Sequence, residues 1–151
     1  MIAVIRVRGT VNTNPDVQFT LGMLRISKPN HMVLVPESRI KMVEKSKDYV
    51  TYGEIREDVL ARVLEKRGRL SANRRLTPDV LKEKKIAGYS ELAKMMIEGK
   101  ANLKELGIEP LFRLHPPRKG YDRKGIKQPY TLGGALGNRK EKINDLILRM
   151  I

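Results

Sequence analysis

The sequence predicts an α+β protein: a β-α-β-α-β core domain over residues 1–52, a helical extension over 53–107, and a closing segment over 108–151 that holds a return strand, a basic loop and a C-terminal helix. Three observations predict it. Strand-like apolar stretches occupy residues 2–8, 31–35 and 48–52; helical periodicity lies between and after them; and Gly, Pro and cations take over from 113 to 139.

Residues 2–8 put Ala3, Ile5 and Val7 on one face of a strand and Ile2, Val4, Arg6 and Arg8 on the other, so the strand turns basic toward its end. Gly9 breaks it. Asn14-Pro15 supplies a cap and a first-turn proline for a helix whose Val17, Leu21 and Leu24 form one stripe that needs a sheet to cover it. The second strand is 31–35. Pro36 opens a short helix with Ile40 and Val43 inward, and residues 48–52, rich in aromatic and β-branched side chains, form the third strand. Connecting helices of this kind lie against one face of a small sheet and leave the other partly available.

Beyond residue 52, Gly53-Glu54 leads into a helix with Ile55, Val59, Leu60, Val63 and Leu64 on one side, ended by Gly68. Thr77-Pro78-Asp79 is another capped start, residues 90–98 form a helix stopped by Gly99, and 102–106 a single turn stopped by Gly107. Met95-Met96 and the Leu/Val positions of these helices read as core, and Glu54, Glu57 and Asp58 near Arg62 as a solvated helix face. Residues 111–115 return as a strand. Asn138 with Glu141 gives an N-cap and capping-box partner to a last helix lined by Ile143, Leu146, Ile147 and Met150. The basic loop is thereby held at both ends, so it has fewer states to lose on binding than a free tail.

Charge is unevenly placed. The 151 residues carry 31 Lys/Arg and 17 Asp/Glu, a net +14 with pI near 10.2. Residues 1–65 contribute +2 and residues 76–111 cancel, whereas 66–75 contribute Lys66, Arg67, Arg69, Arg74 and Arg75 with no acid, and 112–142 hold nine cations against two acids. Two patches thus supply +12 of +14, the footprint of a polyanionic partner. A solvated linker or a membrane-surface tether is the plain alternative, but Gly, Pro and Tyr interleaved with cations suit RNA better than lipid. Prolines, glycines and a dense positive field argue against a packed core within the loop.

Within that loop Arg118, Lys119, Arg123, Lys124, Lys127 and Arg139 are the candidates to neutralise phosphates. His115, Tyr121 and Tyr130 offer rings for stacking on unpaired bases, although packing within the loop explains each ring as well. Gly120, Gly125, Gly133, Gly134 and Gly137 would let backbone amides approach sugar and phosphate.

Other classes fit poorly. Absence of cysteine excludes a disulfide framework and thiolate metal sites, and two histidines do not make an imidazole-rich zinc centre, so no metal or cofactor is expected. No apolar run reaches the ~18 residues that span a bilayer, and MIAVIRVRG lacks the longer apolar segment and cleavage site of a signal peptide; a cytosolic chain without a membrane partner is expected. No acid, base or nucleophile has an orienting partner, so catalysis is not expected. Gly133-Gly134-x-x-Gly137 lacks the lysine-hydroxyl pair of a P-loop and does not follow the strand of a dinucleotide fingerprint. The remaining rival is a DNA-binding or chromatin-like protein using the helix around 66–75, against which the long shaped loop argues.

The segments VIRVRG, NHMVLVPE, KDYVTYGEI, FRLHPPRKGY and GGALGNRKEKINDLILRMI follow one another in an order that resembles the L-thirty family of large-subunit ribosomal proteins in its long archaeal form, whose eukaryotic relative is called L-seven. The similarity runs over essentially the whole chain. It implies a non-enzymatic structural constituent of the large ribosomal subunit with a ferredoxin-like core, docked on large-subunit rRNA, near 5S rRNA and beside neighbouring ribosomal proteins. By the same resemblance the RNA-binding positions are Arg113, His115, Arg118, Lys119, Gly120, Tyr121 and Lys127 in the basic loop; Gly133, Gly134, Gly137, Asn138 and Arg139 in the glycine-rich signature; Arg6 and Arg8 at the strand end; and Lys28, Asn30 and His31 before the second strand. Two departures are implied as well. The basic leader of eukaryotic members is missing here, so its RNA contacts are expected to be absent, and Lys140 stands where relatives often carry an acidic residue or glycine.

Overall fold

A strand whose only polar side chain is one arginine, β1 (Ile2–Arg6), is buried along its whole length and so must be covered on both sides. The computed structural model, which describes residues 1–70, 73–84, 86–103 and 105–151, supplies both covers. β1 is the centre of a five-stranded sheet, flanked antiparallel by β2 (His31–Val35) and β3 (Val50–Glu54). β4 (Leu111–Arg113) joins β2 antiparallel at one edge, and β5 (Gly137–Asn138) joins β3 in parallel at the other. The result is an α+β fold with a ferredoxin-like core and added helices.

On one face, α1 (Pro15–Met23) and α2 (Ile40–Lys45) bring Leu21 and Val43 onto Ile2, Val4, Val33, Val35, Val50 and Tyr52. α1 starts as its sequence dictates: the Asn14 side chain accepts from the Asp16 N–H at 3.0 Å, with Pro15 in the first turn.

The opposite face, expected to stay partly available, is covered. α3 (Glu57–Arg67), α4 (Pro78–Glu83), α5 (Tyr89–Ile97) and α6 (Ile143–Met150) pool Leu60, Leu64, Leu81, Leu92 and Ile147 with Ala3, Ile5, Met32 and Phe112 of the sheet. The extension's apolar stripes need a surface, and each large side chain fully buried there contributes about 1.5–3 kcal/mol. Residues of all three sequence segments therefore share one core.

Some boundaries move for physical reasons. β1 ends at Arg6, because the Val7 and Arg8 N–H groups both donate to the Tyr49 carbonyl at 2.9 and 3.2 Å. β3 runs through Gly53-Glu54, where the sequence suggests the approach to a helix. A Cβ on Gly53 would lie 2.1 Å from the Lys140 carbonyl and 3.0 Å from the Ile143 side chain, so α6 crosses β3 where no side chain stands between them. Buried Asn144 fastens the crossing: its Oδ1 accepts from the Arg56 N–H at 2.9 Å, and its Nδ2 donates to the Glu54 and Glu141 carbonyls.

Two local expectations are corrected. The return strand is three residues long, since Leu114 N–H turns to the Asn30 carbonyl and His115 N–H to that of Met150. Asn138 caps its own turn by accepting from the Lys140 N–H at 2.8 Å, and α6 follows only after a 3-10 turn, Lys140–Lys142. No bond from the Glu141 carboxylate back to Asn138 exists among the described residues, so there is no capping box. The turn expected over 102–106 brings the Leu106 N–H to the Asn102 carbonyl at 3.3 Å, while its Lys104 lies outside the described residues.

Candidate nucleic-acid interface

The segment after β4 is a folded loop with a small core of its own, contrary to the expectation from its composition. Val7, Ala135 and Leu136 are buried together, with Tyr121 packed against them. Its prolines and glycines make turns: Gly120 N–H donates to Pro117, Gly125 to Asp122, Gly133 to Tyr130 and Gly134 to Pro129. A Cβ on Gly134 would sit 2.1 Å from the Gln128 carbonyl. The amides of these four glycines are thus taken up by turns within the loop.

Tethers fix the loop to the body. Arg118 N–H donates to the Arg149 carbonyl at 3.0 Å, and the Arg149 guanidinium donates to the Gly120 carbonyl at 3.2 Å, tying the first turn to α6. Tyr121 Oη donates to Asn30 Oδ1 at 2.9 Å, and burial pushes that phenol's pKa up against the opposing effect of Arg139. Tyr121 is thus a structural anchor.

Arg139 is the loop's internal post. The residue is 3% exposed; its guanidinium donates to Thr51 Oγ1 at 2.9 Å and the Ala135 carbonyl at 3.2 Å, pairs with Asp122, and lies 4.5 Å over the Tyr130 ring. Arg6, 1% exposed, plays the same part at the other end of the site, donating to the carbonyls of Arg8, Gly9, Ile26 and Ser27. Burial lowers its pKa, partly offset by Tyr49. The sequence offers both arginines as RNA-binding positions, and both are enclosed: the Ile26 and Ser27 carbonyls reach Arg6 from a distant segment, and Thr51 and Asp122 reach Arg139.

The exposed cations of the loop are Arg118, Lys119, Arg123, Lys124 and Lys127, with Arg113 and His115 exposed at its entrance and Lys140 and Lys142 at its exit. Arg113 lies 3.8 Å from Glu109, a solvated pair. Lys28 is exposed beside half-buried Asn30 and His31. The pKa of His31 is lowered by burial first and then by Arg113, Lys28 and Arg6, with Glu109 opposing, and its Nδ1 is enclosed with no hydrogen-bond partner among the described residues.

Two hollows collect these groups. Arg8, Lys47 and Lys127 converge on a groove of about 450 Å³ with Tyr49, Pro129 and Gly137, and Arg8 stacks 4.8 Å over Tyr49. A cleft of about 1110 Å³ lies between Tyr130, Thr131 and Gly133 on one side and Asn138, Lys140 and Lys142 on the other, with Glu54, Asp122 and Glu141 also lining it. Lys47 escaped the sequence reading. Its signal was weak: a lysine among alternating charges, KSKD, close before the third strand.

The second basic patch sits elsewhere. Lys66 and Arg67 end α3; Arg69 bridges antiparallel to Arg75, the Leu70 N–H donates to the Arg74 carbonyl, and Leu70 also bridges to Ile108. Arg67 is half-buried, its Nε has no hydrogen-bond partner among the described residues, and its pKa is lowered by burial and then by Arg69 and Arg75. Among the described residues no cluster of His, Cys, Asp or Glu could hold a metal, and no helix is long and apolar enough to cross a membrane.

The chain is thus a five-stranded α+β protein that carries a folded, strongly cationic loop. The family described as ribosomal protein L30p/L7e matches residues 2–50. Over the full length, the chain is 53% identical to the large ribosomal subunit protein uL30 of Nanoarchaeum equitans, across 100% of this chain and 99% of that one. It is 48% identical to the protein of the same name from Methanococcus maripaludis (99% and 98% covered) and 49% identical to that of Methanothrix thermoacetophila (99% of each). The chain belongs to the ribosomal protein L30p/L7e family, whose members are structural and non-enzymatic.

Proposed function

We propose that this chain, a structural constituent of the large subunit of the cytoplasmic ribosome, binds and stabilises folded large-subunit rRNA through one continuous face. Arg113, Arg118, Lys119, Arg123, Lys124 and Lys127 meet phosphates from the loop, and His115 offers its ring at the entrance; Arg8, Lys28 and Lys47 extend the contact along the sheet end; Lys140 and Lys142 close it. Tyr130 presents a ring that the Arg139 guanidinium holds in place, suited to an unpaired base at the rim. Arg6, Arg139, Gly134 and Tyr121 serve the interface by holding its shape. The patch from Lys66 to Arg75 is a second, separate RNA contact, and the same face approaches 5S rRNA.

One observation carries the reading: the loop's buried charges are satisfied internally while its remaining cations all stand exposed. A surface loop has no internal reason to hold them. The shape is set before binding, so association costs less ordering than a disordered tail would require.

Binding to large-subunit rRNA and to duplex DNA, followed from 50 to 200 mM salt, tests this. With about eight of these cations directly on phosphates, affinity for rRNA falls roughly 10³- to 10⁵-fold over that range, and rRNA outcompetes DNA throughout. Arg118→Ala with Lys119→Ala lowers the salt slope by about 2 without unfolding the protein. Equal affinity for rRNA and DNA at physiological salt would reject the proposal.

A further inference from the structure

α1 carries apolar residues on both of its sides. Leu21 faces the sheet, but Phe19 and Met23, four residues apart on the outer face, are 71% and 59% exposed, and Val11 in the preceding loop is 87% exposed. A monomeric surface helix has a polar outer face. This one does not.

The charge of the same strip is equally unusual. Lys and Arg make up 31 of the 151 residues, yet residues 9–24 contain neither, and their one charged group is Asp16. Cations resume at Arg25 and Lys28, and Arg25 and Arg39 line a hollow with Met23 at the end of the strip that leads to β2. An RNA-facing surface needs cations to release counterions from the backbone, so the strip is not made for phosphate.

Gly22 adds an independent observation. It lies inside α1, is exposed, has no positive φ, and a Cβ built there would meet nothing within 4 Å. Gly22 is the last residue but one of the helix, and nothing among the described residues requires a glycine there, where alanine is the better helix former. A bare spot beside Met23 and within one turn of Phe19 is what the close approach of another backbone or a large side chain requires.

We infer that the outer face of α1, built on Phe19, Gly22 and Met23, is the docking surface for another protein of the large subunit, one that presents an apolar side chain over Gly22 and a lysine or arginine toward Asp16. Charge selects that occupant. A second RNA-bound protein shares the cationic character that RNA imposes on this one, and most of a +14 surface repels it. A strip with a net charge of −1 and exposed apolar side chains offers such a partner contact without that repulsion. The inference rests on membership of the ribosomal family, and it is separate from the rRNA contact of the basic loop.

Photo-crosslinking in assembled large subunits separates the two. A benzoylphenylalanine probe replacing Phe19 yields adducts mapped to one peptide of a different large-subunit protein, and the same probe replacing Lys119 yields rRNA adducts. Adducts of the Phe19 probe with nucleotides or with a second copy of this chain, or no adduct at all, overturn the inference. Failure of the Lys119 probe alone would count against the rRNA reading and leave this one standing. Gly22→Leu is a second arm: it leaves the melting temperature unchanged or higher through helix propensity, yet reduces occupancy in salt-washed subunits at least severalfold. Full occupancy of that variant would also overturn the inference.

Discussion

The Tyr121 hydroxyl donates to the Asn30 side chain at 2.9 Å across 91 residues of sequence, joining the middle of the basic loop to the residue that precedes β2. Asn30 holds φ at +62°, and its carbonyl also accepts the Leu114 N–H at 3.0 Å, so one residue receives both the loop's entrance and its anchor. Tyr121→Phe removes one hydrogen bond and leaves the ring. We expect a loss of about 1 kcal/mol, read as a fall of about 2–4 °C in melting temperature. Amide exchange should rise in residues 118–128 ahead of the rest of the chain.

Arg139 gives a sharper test, because its planar fork reaches Thr51, Ala135 and Asp122 while stacking on Tyr130. Lysine keeps the charge but not the fork. Arg139→Lys is expected to cost about 2 kcal/mol by denaturant titration, whereas Arg118→Lys on the exposed surface changes stability by less than about 0.5 kcal/mol. Equal effects at the two positions would remove the internal role assigned to Arg139.

Much of this architecture was legible in the sequence. Ile55, Val59, Leu60, Val63 and Leu64 recur with helical period and are all buried, and Asn14-Pro15 begins a helix as its chemistry requires. Periodicity and capping are local, so a sequence states them directly. The roles of Arg6 and Arg139 were not legible. An arginine among cations reads as one more surface charge, and only the assembled fold shows the carbonyls of Ile26, Ser27 and Ala135 closing around these two. Gly53 was misread for the same reason: its meaning lies in the approach of Lys140 and Ile143, nearly ninety residues later. Composition named the loop as cationic, and the backbone geometry decided which of its cations are free to meet a partner.

His31 makes stability depend on pH in a direction that can be worked out. Its folded pKa lies below the ordinary 6.5, through burial and the neighbouring Arg113, Lys28 and Arg6. The unfolded chain therefore takes up the proton first as pH falls. The full contribution is present above 6.5 and is lost progressively below it, levelling off once the folded value is passed, at no more than about 1.4 kcal/mol per pH unit for one proton. Urea titrations at about pH 7.5 and pH 5.5 should show wild type losing more stability than His31→Gln. An identical loss in both would assign the effect to other groups.

The central claim is that the loop's exposed cations lie against rRNA in the assembled particle, and acetylation of lysines read residue by residue addresses it most directly. In the free protein Lys119, Lys124, Lys127 and Lys140 should react readily, as their exposure requires. In intact large subunits the account predicts that all four are strongly protected and that protection disappears when the rRNA is digested. Reaction of these lysines at the same rate in free protein and in subunits would contradict it.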